Sequence, residues 1–255
     1  MKETIAQIKA QLAAIDELDD KRLTEWEKDE RSGVQAALKV YRRRIKNKKE
    51  EQERLQGMMA YEREAVNQGL FSIAGIDEAG RGPLAGPVVA AACILPDGFL
   101  PEGLNDSKKI KESLRNELFT LITERAAVGI GVVSAEEIDQ INIYEAAKKA
   151  MLLAVQSLPK QPDHLLVDAM TLPVSISQES IIKGDAKSAS IAAASIIAKV
   201  TRDRLMKQYA EEYPGYGFEK NMGYGTQEHI EGLKQFGVTP QHRRTFAPIK
   251  NMIIR

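Results

Sequence analysis

The sequence has few of the residues that mark secreted, zinc-binding or membrane-spanning proteins. Its 255 residues include one cysteine, Cys93, and three histidines. A single cysteine excludes an intramolecular disulfide and suits a reducing compartment, and the scattered histidines give no zinc-ligand spacing. The longest uninterrupted apolar run, Val88 to Leu95, is less than half of what a bilayer crossing requires. Because the first residues contain no apolar signal segment, we predict a cytoplasmic protein.

Net charge is also absent, because 36 basic side chains balance 36 acidic ones. Composition alone therefore gives no indication of a nucleic-acid partner. The charges are nevertheless uneven along the chain, with 29 of them in the first 70 residues. Residues 16–30 hold eight acids and three bases, whereas residues 39–54 hold eight bases and three acids. We predict a charged helical extension over residues 1–70 and a separate domain over residues 71–255.

The extension has a helical pattern. Isoleucines and a leucine between Ile5 and Ile15 recur at helical spacing, and a second helix is predicted from about Val34 to Ala65, after a break at Ser32-Gly33. The run Arg42-Arg43-Arg44 lies along this second helix. Two interpretations stay open: a solvated helical surface or hairpin packed on the main domain, or a basic helix that contacts nucleic acid or a partner protein.

Beyond Leu70 the pattern changes to short apolar, β-branched runs that alternate with helical segments. The predicted strands are Ile73–Ile76, Val88–Leu95, Ala126–Val133, His164–Val167 and Ser180–Lys183. The predicted helices are Lys111–Arg125, a segment from Ser134 to about Ser157, and a long one that begins after Ser188 or Ser190 and stops before Pro214. This order predicts an α/β domain with a mixed sheet flanked by helices.

Acidic residues stand at the ends of three of these predicted strands: Asp77-Glu78, Asp168 and Asp185. A single strand-terminal aspartate is usually a turn former or a helix cap, but three such positions in one domain indicate a shared site. Clustered carboxylates repel one another unless cations neutralise them, and hard oxygen ligands suit Mg²⁺ or Mn²⁺. Two such ions about 3.5–4 Å apart can hydrolyse a phosphodiester.

A glycine-rich turn, Gly80 to Gly86, follows the first acids and contains Arg81. Glycines let a backbone approach a phosphate closely, and arginine offers it a charge-assisted pair of hydrogen bonds. A dinucleotide-binding fold uses similar glycine spacing. Here Pro83 and the strand from Val88 stand where its phosphate-binding helix would begin, so that alternative is disfavoured.

The C-terminal part combines aromatic and basic residues. Four aromatic residues between Tyr213 and Tyr224 alternate with glycines. Aromatic rings beside basic groups can stack on sugars or bases while the cations contact phosphates, and an ordinary loop packed on the core is the alternative. The run His242-Arg243-Arg244 fits a phosphate contact or a surface segment equally well.

Eight motifs carry a resemblance to a known family. They are Ile76–Pro87, Asp106–Lys109, Val167-Asp168, Lys183–Asp185, Ser190–Asp203, Tyr213–Phe218, Gly223–Thr226 and His242–Pro248. In this order, over residues 72–248, they resemble ribonuclease HII. The resemblance implies an RNase H-like fold with a C-terminal helical substrate-binding region from about residue 205. It also implies metal-dependent endonucleolytic cleavage of the RNA strand in RNA/DNA hybrids.

The resemblance also implies roles for individual residues. By position, the family's metal-binding and catalytic acids match Asp77, Glu78, Asp168 and Asp185, which would hold two Mg²⁺ or Mn²⁺ ions. Contacts to the ribonucleotide 2′-OH and the adjacent phosphates match Gly80, Arg81 and Gly82. Tyr224 matches a tyrosine that stacks on the following deoxyribose, and Lys199 and Arg202 are further candidates for contact with the substrate backbone. Together these imply incision 5′ of a single ribonucleotide embedded in duplex DNA, leaving 3′-hydroxyl and 5′-phosphate ends.

Two other functions stay open. The sister family, ribonuclease HIII, prefers long hybrids and also has an N-terminal extension, but its glycine motif lacks the Gly-Arg-Gly string found here. A non-catalytic nucleic-acid-binding module would act through Arg42–Lys49 and the C-terminal basic loop. Residues 1–70 inherit no role from minimal ribonucleases HII, so a protein partner or a nucleic-acid contact for the extension is open. We expect a monomer that acts in ribonucleotide excision repair.

Overall fold

The computed structural model describes residues 3–16 and 20–253. The chain divides into two compact units, residues 1–56 and residues 57–255, called here the helical unit and the α/β unit. The compositional boundary predicted near residue 70 is a different division and stays a prediction. Within the described residues, no helix has both the length and the hydrophobicity that a bilayer crossing needs.

The helical unit is built from amphipathic helices around one apolar core. Its helices are α1 (Ile5–Ala14), α2 (Lys21–Glu27) and α3 (Ser32–Met58), of which α3 runs past the end of the unit. The core consists of Ile8, Leu12, Ile15, Leu23, Trp26, Val34, Leu38, Tyr41 and Ile45. Thr4 caps α1, because its hydroxyl accepts from the Gln7 amide while the Gln7 side chain accepts from the Thr4 amide. The predicted first helix is confirmed.

The predicted break at Ser32-Gly33 is wrong, because α3 begins at Ser32 and the chain turns before it. Asp29 makes that turn: its carboxylate accepts from the Arg31 amide and guanidinium. The single helix predicted to Ala65 is also wrong. The structure has α3 followed by α4 (Ala60–Asn67), with Met59 between them.

The α/β unit alternates strands and helices after α4. Its strands are β1 (Ile73–Ala79), β2 (Val88–Ile94), β3 (Ala127–Val133), β4 (His164–Asp168) and β5 (Ser177–Ile181). Its remaining helices are α5 (Glu112–Arg125), α6 (Ala135–Ile141), α7 (Ile143–Gln156), α8 (Ala189–Glu212), α9 (Phe218–Asn221), α10 (Gln227–Phe236) and α11 (Ile249–Ile253). A 3₁₀ turn, Gly184–Ala186, precedes α8. The predicted class, a mixed sheet flanked by helices, is confirmed.

The sheet has the strand order β3-β2-β1-β4-β5. The pairs β1–β2 and β2–β3 are antiparallel, and the pairs β1–β4 and β4–β5 are parallel. Alternate residues of β1 face opposite sides, so Ala74 and Ile76 join the core cluster that contains α7. On the other side, a Cβ atom at Gly75 would lie 2.1 Å from the Ser190 carbonyl carbon, so α8 packs directly on β1.

Two elements differ locally from their predicted form. The helix predicted after Ser134 is capped by that hydroxyl, as expected, but is divided into α6 and α7 at Asn142. Asn142 has φ 69° and its Oδ1 accepts from the amides that begin α7, so the asparagine restarts the helix. β5 lies about three residues earlier than predicted, because the chain leaves the strand at Ile182 and Lys183 has a left-handed φ of 56°.

Candidate active site

Three adjacent structural elements position the predicted acids. Asp77 and Glu78 lie within β1 and not after it, because β1 continues its pairing with β2 as far as Ala79. Asp168 is the last residue of β4, and it lies beside Asp77 because the preceding residues of the two strands are paired. Asp185 lies in the 3₁₀ turn that precedes α8. The Gly184 amide donates to Asp168 Oδ1 at 2.7 Å and so ties this turn to β4.

Asp77 is the most enclosed of these carboxyl groups, with 5% of its surface exposed. Burial raises its pKa well above the usual value for aspartate, and the negative charges of Glu78 and Asp168 raise the pKa further. A hydrogen bond from the Ser195 side chain on α8 opposes this shift. The position therefore favours an ionised carboxylate only when positive charge is close.

Burial also raises the pKa of Glu78, although Arg81 opposes the shift through an ion pair with an Nη1–Oε1 distance of 3.2 Å. Burial raises the pKa of Asp185, and the charges of Asp106 and Asp168 add to it. The predicted acids thus interact electrostatically as one group across β1, β4 and the 3₁₀ turn. Crowded carboxyl groups with raised pKa values are common at functional sites.

The donor set fits a hard divalent cation. Glu78 Oε2 is buried without a hydrogen-bond partner, although a buried carboxylate oxygen ordinarily has one. Within residues 3–16 and 20–253, no three acidic, histidine or cysteine side chains are already gathered closely enough to form a ligand cage. The orphaned oxygen and the mutual repulsion of the carboxylates are both relieved by a cation, and oxygen ligands suit Mg²⁺ or Mn²⁺.

A cleft of about 370 Å³ opens beside Glu78. It brings together seven of the predicted site residues: Glu78, Gly80, Arg81, Gly82, Lys199, Arg202 and Tyr224. Asp77, Asp168 and Asp185 do not line it. Tyr224 is 48% exposed, and a Cβ atom at Gly82 would lie 3.6 Å from its Cε1. Lys199 donates to Asp203 Oδ1 at 2.7 Å.

Two buried arginines hold the glycine-rich turn in place. Arg202 donates to the carbonyls of Ala85, Pro87 and Met222, and a Cβ atom at Gly80 would lie 2.0 Å from its Nε. Gly80 has φ +98°, so only glycine combines this backbone with this contact. The predicted contact of Arg202 with substrate stays a prediction, and its bonds to carbonyls favour a positioning role.

Arg243 is fully buried and donates to the carbonyls of Gly80, Arg81, Pro83 and Gly86. Burial lowers its pKa to about 9, and burial also lowers the pKa of Arg202 to about 10. Both predicted interpretations of the run His242-Arg243-Arg244 are therefore wrong for its first two residues, since only Arg244 is exposed. Arg243 therefore supports the glycine-rich turn from the protein interior.

Sequence reasoning also missed polar residues that are linked to the acids directly or through one another. The Ser107 and Ser195 hydroxyls are 2.9 Å apart in the buried interior, and Ser195 in turn reaches Asp77. The positive charge of Lys108 lowers the pKa of Glu78 and of Asp185 against the opposing effect of burial. The sequence signals for these roles are the Asp106–Lys109 motif and Ser195, one of two serines in the alanine-rich part of α8.

The C-terminal aromatic residues separate into two groups. Tyr216 and Phe218 are buried and stacked, with ring centroids 5.3 Å apart, so core packing is confirmed for them. Of the four aromatic residues from Tyr213 to Tyr224, Tyr224 is the one that lines the cleft. The basic cleft therefore has one accessible aromatic face.

The strand order, the carboxylates on two central strands and the basic cleft define an RNase H-like nuclease. The family model described as Ribonuclease HII matches residues 74–249, and the one described as Ribonuclease HII N-terminal domain matches residues 4–66. The chain therefore belongs to the ribonuclease HII family, whose members are metal-dependent endonucleases acting on RNA/DNA hybrids.

Curated relatives and solved structures agree. The chain is 56% identical over 253 residues to ribonuclease HII of Enterococcus faecalis, covering 99% of each protein. It is 55% identical to ribonuclease HII of a Geobacillus species, covering 99% of this chain and 91% of that protein. The crystal structure of ribonuclease H2 from Pyrococcus horikoshii matches with a TM-score of 0.62 and 29% identity, covering 71% of this chain and 96% of that one.

Proposed function

We propose that this ribonuclease incises the strand 5′ of a single ribonucleotide embedded in duplex DNA and leaves 3′-hydroxyl and 5′-phosphate ends. The observation that carries the proposal is the shared cleft: the Gly80–Gly82 turn and the exposed ring of Tyr224 line one cavity with the acid Glu78. A site that reads the ribonucleotide and the adjacent deoxynucleotide together would recognise an RNA-to-DNA junction.

In this proposal Asp77, Glu78, Asp168 and Asp185 are the metal ligands. Two divalent ions held there would supply activation of the attacking water and stabilisation of the departing 3′-oxygen. A bound cation would replace any proton on these carboxyl groups, and it would relieve the burial and the mutual repulsion that raise the pKa values of Asp77 and Asp185. Ser195 holds Asp77 in place through its hydrogen bond.

Substrate recognition divides between the turn and the tyrosine. The 2′-hydroxyl both donates and accepts hydrogen bonds, which separates RNA from DNA at a site with fixed polar groups. The buried cations Arg202 and Arg243 lie directly under the turn and favour a phosphate above it. Tyr224 offers its ring to the following deoxyribose, and Lys199 at the rim of the cleft would contact the backbone.

Several finer statements belong to the same proposal. We propose a monomer in the cytoplasm that acts in ribonucleotide excision repair, with the segment from about residue 205 contributing to substrate binding. We also propose that residues 1–70 form an extension that is separate from the chemistry.

The test uses a DNA duplex that carries one ribonucleotide, incubated with the purified protein and Mg²⁺, Mn²⁺ or EDTA, with the product ends mapped. An all-DNA duplex and a continuous RNA/DNA hybrid are the matched substrates. We expect a metal-dependent nick immediately 5′ of the ribonucleotide and no cleavage of the all-DNA duplex. Cleavage of the continuous hybrid alone would show specificity like that of ribonuclease HIII, and binding without cleavage would favour a non-catalytic module.

A further inference from the structure

Two histidines that the proposed chemistry does not use form a buried pair behind the cleft. His229 and His242 are 0% and 1% exposed, and their Nε2 atoms are 3.0 Å apart. Tyr216 and Phe218 pack around them, with ring centroids 5.1–6.3 Å from those of the imidazoles. Two imidazoles buried among aromatic rings are costly unless their nitrogens are hydrogen-bonded.

The hydrogen-bond partner of each Nδ1 atom determines which nitrogen of that imidazole carries the proton. His229 Nδ1 lies 2.9 Å from the carbonyl oxygen of Tyr224, which can only accept, so Nδ1 must donate. His242 Nδ1 lies 2.9 Å from the backbone amide of Thr239, which can only donate, so this Nδ1 must accept. In neutral rings the remaining assignment follows: His242 Nε2–H donates to the lone pair of His229 Nε2.

The result is a one-way hydrogen-bond chain from the Thr239 amide through both rings to the Tyr224 carbonyl. The environment keeps both rings neutral: burial lowers the pKa of His229, and burial followed by the neighbouring His229 lowers the pKa of His242 to about 4. A proton added to either ring would place two donors against each other or against the Thr239 amide. This series of hydrogen bonds is therefore complete only when both imidazoles are neutral.

The two ends of this chain lie in segments that border the glycine-rich turn. At one end, the Gly86 amide donates to the Gln241 carbonyl and the Arg243 amide to the Leu84 carbonyl. At the other end, the Leu84 amide donates to the Gly223 carbonyl, next to Tyr224. The histidine pair thus links, behind the turn, the segment that carries Arg243 and the segment that carries Tyr224.

We infer that His229 and His242 are positioning residues that set the place of Tyr224 and thereby the preference for single ribonucleotides. The inference rests on the proposed function, because it assigns the histidines an effect through the ring that would stack on the substrate. The histidines touch neither the acids nor the cleft, so their removal is expected to change specificity more than the chemical step.

The kinetic test compares kcat/KM for the single-ribonucleotide duplex with kcat/KM for the continuous hybrid in a set of variants. Leucine in H229L removes the donor to Tyr224, whereas asparagine in H229N keeps an amide donor near the position of Nδ1. We expect H229L to lower the ratio about tenfold, within the roughly 10²-fold cost of a 1 Å displacement, and H229N to restore most of it. H164L, which removes a buried histidine at the start of β4, is the matched control and leaves the ratio unchanged.

A double-mutant cycle with Y224A separates this inference from the proposed function. If the histidine acts through the tyrosine, H229L lowers the ratio in the wild-type background and has no further effect in Y224A. If Y224A itself leaves the ratio unchanged, the proposed role of Tyr224 fails. If Y224A lowers the ratio and H229L does not, or H229L acts equally in both backgrounds, the inference fails and the proposed function stands.

A spectroscopic readout on the wild-type protein needs no variant to fold. Nitrogen-15 NMR of the imidazoles distinguishes the two neutral tautomers. We expect the Nδ1–H tautomer for His229 and the Nε2–H tautomer for His242 at pH 7, with through-bond coupling between their Nε2 atoms. The opposite tautomers, or a charged ring at pH 7, would overturn the inference.

Discussion

The helical unit and the α/β unit use charge in opposite ways. In the helical unit, most ion pairs of the described residues are exposed, as in Lys48–Asp16 at 3.1 Å and Arg42–Glu27 at 2.5 Å. In the α/β unit, like charges are buried beside one another: the acids around Asp77, and the pair Arg202 and Arg243 below the turn. Exposed ion pairs contribute little free energy, whereas buried like charges need an external partner.

A high density of charge along the sequence therefore does not by itself mark the candidate site. The first 70 residues carry 29 charges. In the structure, most of the basic residues between positions 39 and 54 pair with nearby acids. The acids proposed as metal ligands include Asp77, Glu78 and Asp168 on the apolar strands β1 and β4, where burial raises the free energy of an ionised carboxylate. A bound cation lowers that free energy.

Neutralising the acid at the centre of the cluster should reduce activity the most. We expect D77N to lose at least about 10²-fold in cleavage rate, the scale of removing one group from an electrostatic catalytic site. Its melting temperature should stay the same or rise, because the substitution removes repulsion with Glu78 and Asp168. The matched control is D97N, at an exposed aspartate after β2. Full activity in D77N would remove Asp77 from the site.

The next largest effect separates two neighbouring arginines of one motif. Lysine in R243K keeps the charge but has too few donors for the four carbonyls that Arg243 binds, which leaves buried acceptors unpaired. We expect a loss of about 4 kcal/mol in the free energy of unfolding, measured by urea denaturation, and weaker cleavage. R244K, at the exposed neighbour, should behave as wild type. Equal behaviour of the two variants would contradict the buried role of Arg243.

A smaller effect is the pH dependence of stability from His242, whose pKa is lowered to about 4 in the folded state. The unfolded value is about 6.5, so the contribution is complete above pH 6.5 and is lost as the pH falls toward 4. We expect the wild-type free energy of unfolding to fall by about 3 kcal/mol over this range relative to that of H242Q. A difference between the two proteins that does not change with pH would contradict a neutral buried imidazole.

The smallest effect is expected in the helical unit. Lys39 and Arg43 are exposed on α3, and the variant K39E/R43E should change the free energy of unfolding by less than about 0.5 kcal/mol. We expect the salt dependence of substrate binding to be unchanged. If this unit contacts the nucleic-acid backbone, the slope of log K against log salt would fall by about one for each contact removed. That result would revive the basic-helix interpretation.

Local patterns were enough to predict the mixed sheet and the position of most strands. β1, β2 and β3 are apolar runs flanked by turn formers. Ser134 caps α6 by accepting a hydrogen bond from the amide of Glu137, three residues further along the chain. The meeting of Asp77 and Asp168 could also be foreseen, because both follow apolar residues of strands in one sheet. These features depend on short stretches of chain.

The rest depends on contacts between distant residues. The division of the helix at Asn142 depends on a positive φ at this residue, and the neighbouring sequence contains no glycine or proline that would predict a break there. Arg243 binds carbonyls about 160 positions away in the chain, so its sequence context resembles that of any surface arginine. The pairing of His229 with His242 likewise becomes visible only when the C-terminal segment folds back on the glycine-rich turn.

The crowded carboxyl groups of the α/β unit are proposed to form a divalent-cation site. Isothermal titration calorimetry with Mn²⁺ tests it directly in the wild-type protein, in D77N and in the control D97N. We predict saturable Mn²⁺ binding with release of protons in the wild type and in D97N, and greatly weakened binding without that release in D77N. Equal Mn²⁺ binding by wild type and D77N, or none by either, would contradict a cation site at Asp77.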